Sequence, residues 1–130
     1  KKYQTLTSPS IPHLYGLHHV LKNIKNEGLE KRWERHKAMA LYTRKWAIEN
    51  GQSLFPESGC ESITLTCIKN IQNWNIDNIN QNLLKKGFRM DRGYGKLRYK
   101  TFRISHMGNI YLEDLKEFLN IFDKVLKESR

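Results

Sequence analysis

From Leu29 to Ala47 the chain carries a three-and-four periodicity, mostly of apolar or small residues, through Leu29, Trp33, His36, Ala40, Thr43 and Ala47. That spacing keeps one stripe on one side of an α-helix, and the Asn50-Gly51 pair supplies a left-handed stop after it. Lys31, Arg35 and Arg44 fall on the outer faces. A helix of this length with a single stripe has to cover that stripe with a second layer of structure. His36 lies on or near the stripe and is expected to be a hydrogen-bonded core histidine.

The rest of the chain supplies the other layers. Before the long helix, Thr5 to Pro12 is a Ser/Thr/Pro segment whose prolines favour an extended backbone, and Pro12 suits the first turn of a helix. Leu14, Leu17, Leu21 and Ile24 then mark an amphipathic helix ending near Asn26 to Gly28. After the long helix, SITLTCI (62 to 68) sets Ile63, Leu65 and Cys67 against Thr64, Thr66 and Ile68, a period-two strand with one face wetter than the other. Ile76, Ile79, Leu83 and Leu84 predict a short helix ended at Gly87; Phe88 to Met90 is a second strand candidate and Lys100 to Ile104 a third. The last helix turns Leu112, Leu115, Phe118, Leu119, Phe122, Val125 and Leu126 inward, and Glu113 and Asp114 in its first turn complement the helix dipole. The expected fold is α+β, with helices packed on one side of a small, mostly antiparallel sheet. No internal repeat or low-complexity tract interrupts it, so the 130 residues are expected to form a single domain with residues 1–12 as an extended entry segment.

Charge and cysteine content narrow the class of protein. Lys and Arg total 23 against 13 Asp and Glu, a net charge of +10, which suits nucleic acid, an anionic surface or an acidic partner domain. The cations are dispersed along the chain, as on a solvated face or a docking surface. Cys60 and Cys67 lack the short spacing of metal or redox pairs and are expected as reduced, half-buried thiols. The five histidines lack a helical metal-binding pair, so no metal site is expected. No run is long and apolar enough to span a membrane, and the first residues have no apolar signal core. A cytoplasmic protein with no membrane partner is the expectation. The absence of an initiating Met suggests an excised piece of a longer protein.

Two readings compete for the segment RGYGKLRY (92 to 99). It follows the RNP1 pattern of RNA-recognition domains except at the fifth position, where Lys96 stands in place of a base-stacking aromatic. The element order also departs from the βαββαβ order of such domains. Alternatively, Gly93 and Gly95 adopt positive φ in a hairpin turn, with Tyr94 packed locally, and feed the strand that follows. In that strand Phe102 and Ile104 share one face, so Arg103 projects from the other. Arginine offers a planar fork of donors that pairs bidentately with a carboxylate, so Arg103 is either a surface residue or an α-carboxylate receptor.

Four segments together resemble a known family: TSPSIPHLYGL (7 to 17), GLEKRWERHKAMALYTRKWA (28 to 47), SITLTCI (62 to 68) and GKLRYKTFRISHMG (95 to 108). They are similar to the C-terminal small domain of class V pyridoxal-phosphate aminotransferases of the alanine–glyoxylate and serine–pyruvate type, across almost the whole chain. The resemblance implies that Arg103 binds the substrate α-carboxylate and that Gly93 and Gly95 lie on the glycine-rich approach to the active site. It places Ser8 where the family has a Thr that helps hold the cofactor phosphate of the neighbouring subunit. Thr5 replaces a Tyr of some members, and Ser105 and Tyr111 replace the commoner Gly and Thr.

By the same resemblance, the Schiff-base lysine, the aspartate to the pyridine nitrogen and the stacking aromatic belong to a large domain whose lysine segment is absent from these residues. The implied cofactor is pyridoxal 5'-phosphate, held mainly by that domain. The implied partners are the large domain of the same chain, a second copy in a homodimer, and small amino acid and 2-oxo acid substrates, with no nucleic-acid partner. No catalytic residue is expected in these 130 residues, and the chain alone is expected to be inactive. The readings outside this family are a basic RNA-binding α+β module using RGYGKLRY, and a stand-alone carboxylate-binding regulatory domain.

Overall fold

The computed structural model describes residues 6–128. It divides into two compact units at the Trp33–Glu34 peptide, and each is considered separately.

The first unit holds α1 (Ile11–Glu27) and the first turn of α2 (Leu29–Glu49). Helix α1 begins with Pro12 in its first turn, and at its end Gly28 takes φ +86° while its N–H bonds Ile24 O at 3.0 Å. The predicted stripe forms but is not buried: Leu14, Leu17 and Leu21 are each about half exposed, as are Leu29 and Trp33. Arg32 Nη1 donates to Glu27 Oε2 at 2.7 Å. Thr5 lies outside the described residues.

The second unit contains the rest of α2, β1 (Ser53–Leu54), β2 (Leu65–Lys69), α3 (Ile76–Lys85), β3 (Thr101–Ser105) and α4 (Leu112–Glu128). The strands make an antiparallel sheet in the order β1-β2-β3, with Ile68 opposite Phe102 and Cys67 opposite Arg103. Alternation therefore sends Thr66, Ile68, Phe102 and Ile104 to one face, where all four are buried. Helices α2, α3 and α4 bury their apolar sides in the same core: Met39, Trp46 and Ala47 from α2, Ile76, Ile79 and Leu83 from α3, and the predicted stripe of α4. This is the α+β arrangement expected from the sequence.

Phe122 sits at the centre. Its ring is 4.9 Å from Trp46 edge-on and 6.1 Å from Phe102, while Trp46 Nε1 satisfies itself by donating to Asp123 Oδ1 at 2.8 Å. Such contacts fix α4 and β3 as one packed body, and β3 in turn carries Arg103 on its opposite face.

The structure differs from the sequence-based expectation at particular places. Phe88 to Met90 is not a strand: the Met90 N–H is taken by Asn80 Oδ1 at 3.1 Å, and only Asp91 bridges to β3. Gly87 and Gly93, with φ +83° and +74°, bracket that short segment and stop it from extending into a ladder. The strand beside β2 is instead β1, whose two residues are too few to show any alternation. The Ser62 hydroxyl accepts the Thr64 N–H at 3.2 Å, so β2 starts only at Leu65. Arg35 is not a free outer-face cation, because its guanidinium donates to Ile110 O and Gly108 O and lies 4.8 Å from the Tyr111 ring. Cys60 is exposed and Cys67 half-buried; both are free thiols. No helix among the described residues is long and apolar enough to cross a membrane.

Two histidines are buried. His106 has no exposed surface; its Nε2 shares a 2.9 Å hydrogen bond with the Thr66 hydroxyl, and its Nδ1 meets no protein partner. His36 is buried as expected, but its Nε2 also lacks a protein partner. Burial first, then the nearby His36 and Arg44, lower the His106 pKa from 6.5 to about 4.

A pKa depressed on folding means that neutral His106 contributes fully above the unfolded value of 6.5 and loses that contribution as pH falls toward 4. Urea unfolding should show a loss of about 3 kcal/mol between pH 7 and pH 4 through this group. A His106→Gln variant should lack that part of the loss. An identical pH dependence in variant and parent between these limits contradicts the assignment.

Candidate functional site

The sheet face opposite the core forms part of a cavity of about 920 Å³, lined among others by Leu65, Asp91, Gly93, Tyr94, Arg98 and Arg103. Arg103 reaches it because β3 alternates: burying Phe102 and Ile104 leaves Arg103 on the accessible side, with 27% of its side chain exposed. The predicted projection of Arg103 away from the core is present.

Asp91 is the residue that sequence reasoning missed. Its backbone N–H bonds Arg103 O at 3.2 Å, and its backbone O accepts the Arg103 N–H at 2.9 Å. This isolated bridge brings the two side chains together: Arg103 Nε donates to Asp91 Oδ1 at 3.1 Å, and Arg103 Nη2 lies 2.8 Å from Asp91 Oδ2. The Arg103 guanidinium, followed by the Gly93 N–H at 2.9 Å, holds the Asp91 carboxyl below the usual carboxylate range against the opposing effect of burial. Asp91 in turn raises the pKa of Arg103. Twelve residues separate the partners, so only the glycine-led return of the chain hinted that an acidic group would meet this arginine.

Tyr94 covers one face of the guanidinium, its ring centroid 4.7 Å from Arg103 Cζ. Cys67, the register partner of Arg103, stands on the same side of the sheet, and burial pushes its thiol pKa up. Arg92 is engaged elsewhere, with Nη1 2.6 Å from Asp77 Oδ1. Arg98 lies over the Tyr99 ring at 4.9 Å.

The segment 92 to 99 is not a strand. Gly93 and Gly95 have φ of +74° and +53°, and Gly95–Leu97 forms one turn of 3-10 helix. The two glycines thus have the positive φ expected, but the hairpin is replaced by this turn. Aromatic rings are consequently not displayed across a sheet surface as the RNP1 reading requires. At the exit of β3, the Tyr111 N–H is taken by Asp114 Oδ2 at 2.8 Å, so a carboxylate in the first turn of α4 bonds back to the residue that precedes the helix.

Arg103 and Gly93 are brought into direct proximity through Asp91, and Gly95 lines the same cavity. Ser8 is exposed and belongs to the other unit. Among the described residues, no group of three or more His, Cys, Asp or Glu is arranged to hold a metal ion.

The fold recurs in a solved aminotransferase, and two curated proteins are similar in sequence. No protein-family model matches the chain. An uncharacterised aminotransferase of Methanocaldococcus jannaschii is 31% identical over 131 residues, covering 98% of this chain and 34% of that protein. The soluble hydrogenase small subunit of a Synechococcus species is 27% identical over 129 residues, covering 98% and 33% respectively. The solved alanine–glyoxylate aminotransferase of a Nostoc species superposes with a TM-score of 0.84 at 25% identity, covering 95% of this chain and 33% of that one. The chain spans about a third of the length of the relatives it matches.

Gly93 and Gly95 separate cleanly in what a side chain would meet. A Cβ at Gly93 would lie 2.7 Å from Leu97 O and 3.0 Å from Thr101 O, whereas one at Gly95 would meet nothing within 4 Å. Gly95→Ala should therefore cost about 1 kcal/mol through its positive φ alone, and Gly93→Ala about 3 kcal/mol or more through strain and collision with backbone together. Denaturant unfolding of both variants measures this, and equal losses would count against the packing described.

Proposed function

We propose that this chain, a partial aminotransferase domain about a third as long as its relatives, binds the substrate carboxylate in an enzyme that transfers an amino group between a small amino acid and a 2-oxo acid such as glyoxylate or pyruvate. The observation that carries the reading is Arg103, a guanidinium fixed on the accessible face of β3 at a cavity of about 920 Å³. The space accommodates a small acid beside a larger group, and the fork of N–H donors matches a carboxylate. Two lines of similarity, to the archaeal aminotransferase and to the solved alanine–glyoxylate enzyme, support the same chemistry.

Pyridoxal phosphate is the cofactor that the relationship implies, and when bound it supplies the electron sink for the reaction. The residues lining the cavity include no lysine for its covalent attachment, so this chain does not itself hold the reactive end of the group there. By the resemblance, the exposed Ser8 hydroxyl is a candidate contact to the phosphate of the cofactor held by the neighbouring subunit. The attachment lysine is expected from the large domain of the same chain, and a second copy of the protein completes a homodimer. The enzyme is cytoplasmic in this reading, and the isolated chain is inactive.

Within that assembly Arg103 anchors the α-carboxylate and thereby fixes the substrate's Cα–H bond for a base supplied by the large domain. Gly93 and Gly95 keep the approach clear of side-chain bulk. Hydrophobic surface on α1 and the dispersed positive charge are consistent with docking against the remainder of the enzyme.

In the full-length protein, Arg103→Lys and Arg103→Ala should each lower kcat/KM by a factor of about 10² or more, since either change removes the bidentate pair. Steady-state kinetics with alanine or serine as donor and glyoxylate or pyruvate as acceptor provides the test. Unchanged kcat/KM in both variants refutes the role.

A further inference from the structure

Arg103 is gripped along one edge only. Its contacts to Asp91 use Nε and Nη2, at 3.1 and 2.8 Å, the side-on arrangement of an arginine and a carboxylate. A guanidinium carries five N–H donors in one plane. The side-on pair consumes the Nε–H and one hydrogen of Nη2, which leaves a parallel pair, one N–H from Nη1 and one from Nη2, along the end of the fork. That end edge has the spacing of a second carboxylate. Among the described residues no protein acceptor meets Nη1.

The grip itself is rigid. Asp91 is tied to Arg103 through both of its backbone groups, its Oδ1 also accepts the Gly93 N–H at 2.9 Å, and the preceding residue is held by Met90 N–H to Asn80 Oδ1 at 3.1 Å. A carboxylate fastened at this many points is not a loose stand-in that a ligand pushes aside. Tyr94 covers a face of the guanidinium at 4.7 Å, so ring and carboxylate together restrict both the tilt and the in-plane rotation of the fork.

We propose that Asp91 is a positioning residue for the carboxylate receptor: it holds Arg103 side-on so that the substrate carboxylate is taken end-on by Nη1 and Nη2, with Asp91 remaining in place. The inference rests on the reading of Arg103 given above. A fork already oriented loses little freedom on binding, which favours affinity over a swinging arginine of equal charge.

The test uses the natural protein in its full length, with cofactor bound. Propionate, a small carboxylate with no amino group to react, serves as the probe in calorimetry, and KM and kcat for the amino donor are measured alongside. Asp91→Ala should raise the propionate Kd and the donor KM about tenfold with a smaller change in kcat, because the fork is no longer oriented. Asp91→Asn keeps an acceptor for the Nε–H and should recover most of the affinity. Tighter propionate binding in both variants overturns the proposal, since Asp91 then competes with the ligand. Unchanged Kd and KM in both overturn it as well. Arg103→Ala separates the two levels: loss of propionate binding there with no effect at Asp91 removes only the positioning role, whereas unchanged binding removes the receptor reading and this proposal with it.

Discussion

Everything at the candidate site follows from a single alternation in β3. The core demands Phe102 and Ile104 on one side, where Phe102 stacks against Phe122 of α4, and the residue between them has to face the other way. A one-residue slip in register would exchange the two faces, placing an arginine in the core and an aromatic ring in the cavity. Burial of Phe102, Ile104 and Phe122 therefore does more than stabilise the unit: it fixes the direction in which Arg103 points. The pairing of Cys67 with Arg103 and of Ile68 with Phe102 locks that register from the neighbouring strand.

The electrostatics of the site are more local than the net charge of +10 suggests. Arg103 is paired with Asp91, Arg92 with Asp77, and Arg35 is spent on the carbonyls after β3. The Asp91 and Asp77 carboxyls are both held below the usual range by their arginines. What distinguishes Arg103 is geometry, a fork with one edge occupied and one open, and not an excess of positive potential. The segment RGYGKLRY does not present the strand of an RNP1 element: it folds into a loop and a turn of 3-10 helix, and Tyr94 lies against Arg103.

Much of the fold was legible because long helices and period-two strands write themselves into spacing. The stripe of α4 from Leu112 to Leu126 and the alternation around Arg103 are found where the pattern places them. The pattern was silent where structure depends on contacts distant in sequence. Strand β1 is two residues long and exists only through its pairing with β2. Phe88 to Met90 has strand-like composition, yet Asn80 captures the Met90 N–H. Asp91 carries no local signal at all, because its partner lies twelve residues away across a loop with two positive-φ glycines. The stripe of α1 illustrates the converse: periodicity announces an apolar face correctly and says nothing of whether this chain alone covers it.

In the proposed enzyme Arg103 receives a carboxylate on its open edge. A crystal structure of the full-length protein with its cofactor and a bound small carboxylate tests this most directly. Carboxylate oxygens are expected within hydrogen-bond distance of Nη1 and Nη2 of Arg103, with Asp91 still on Nε and Nη2. A carboxylate bound elsewhere in the cavity, with Arg103 making no contact to it, would contradict the account.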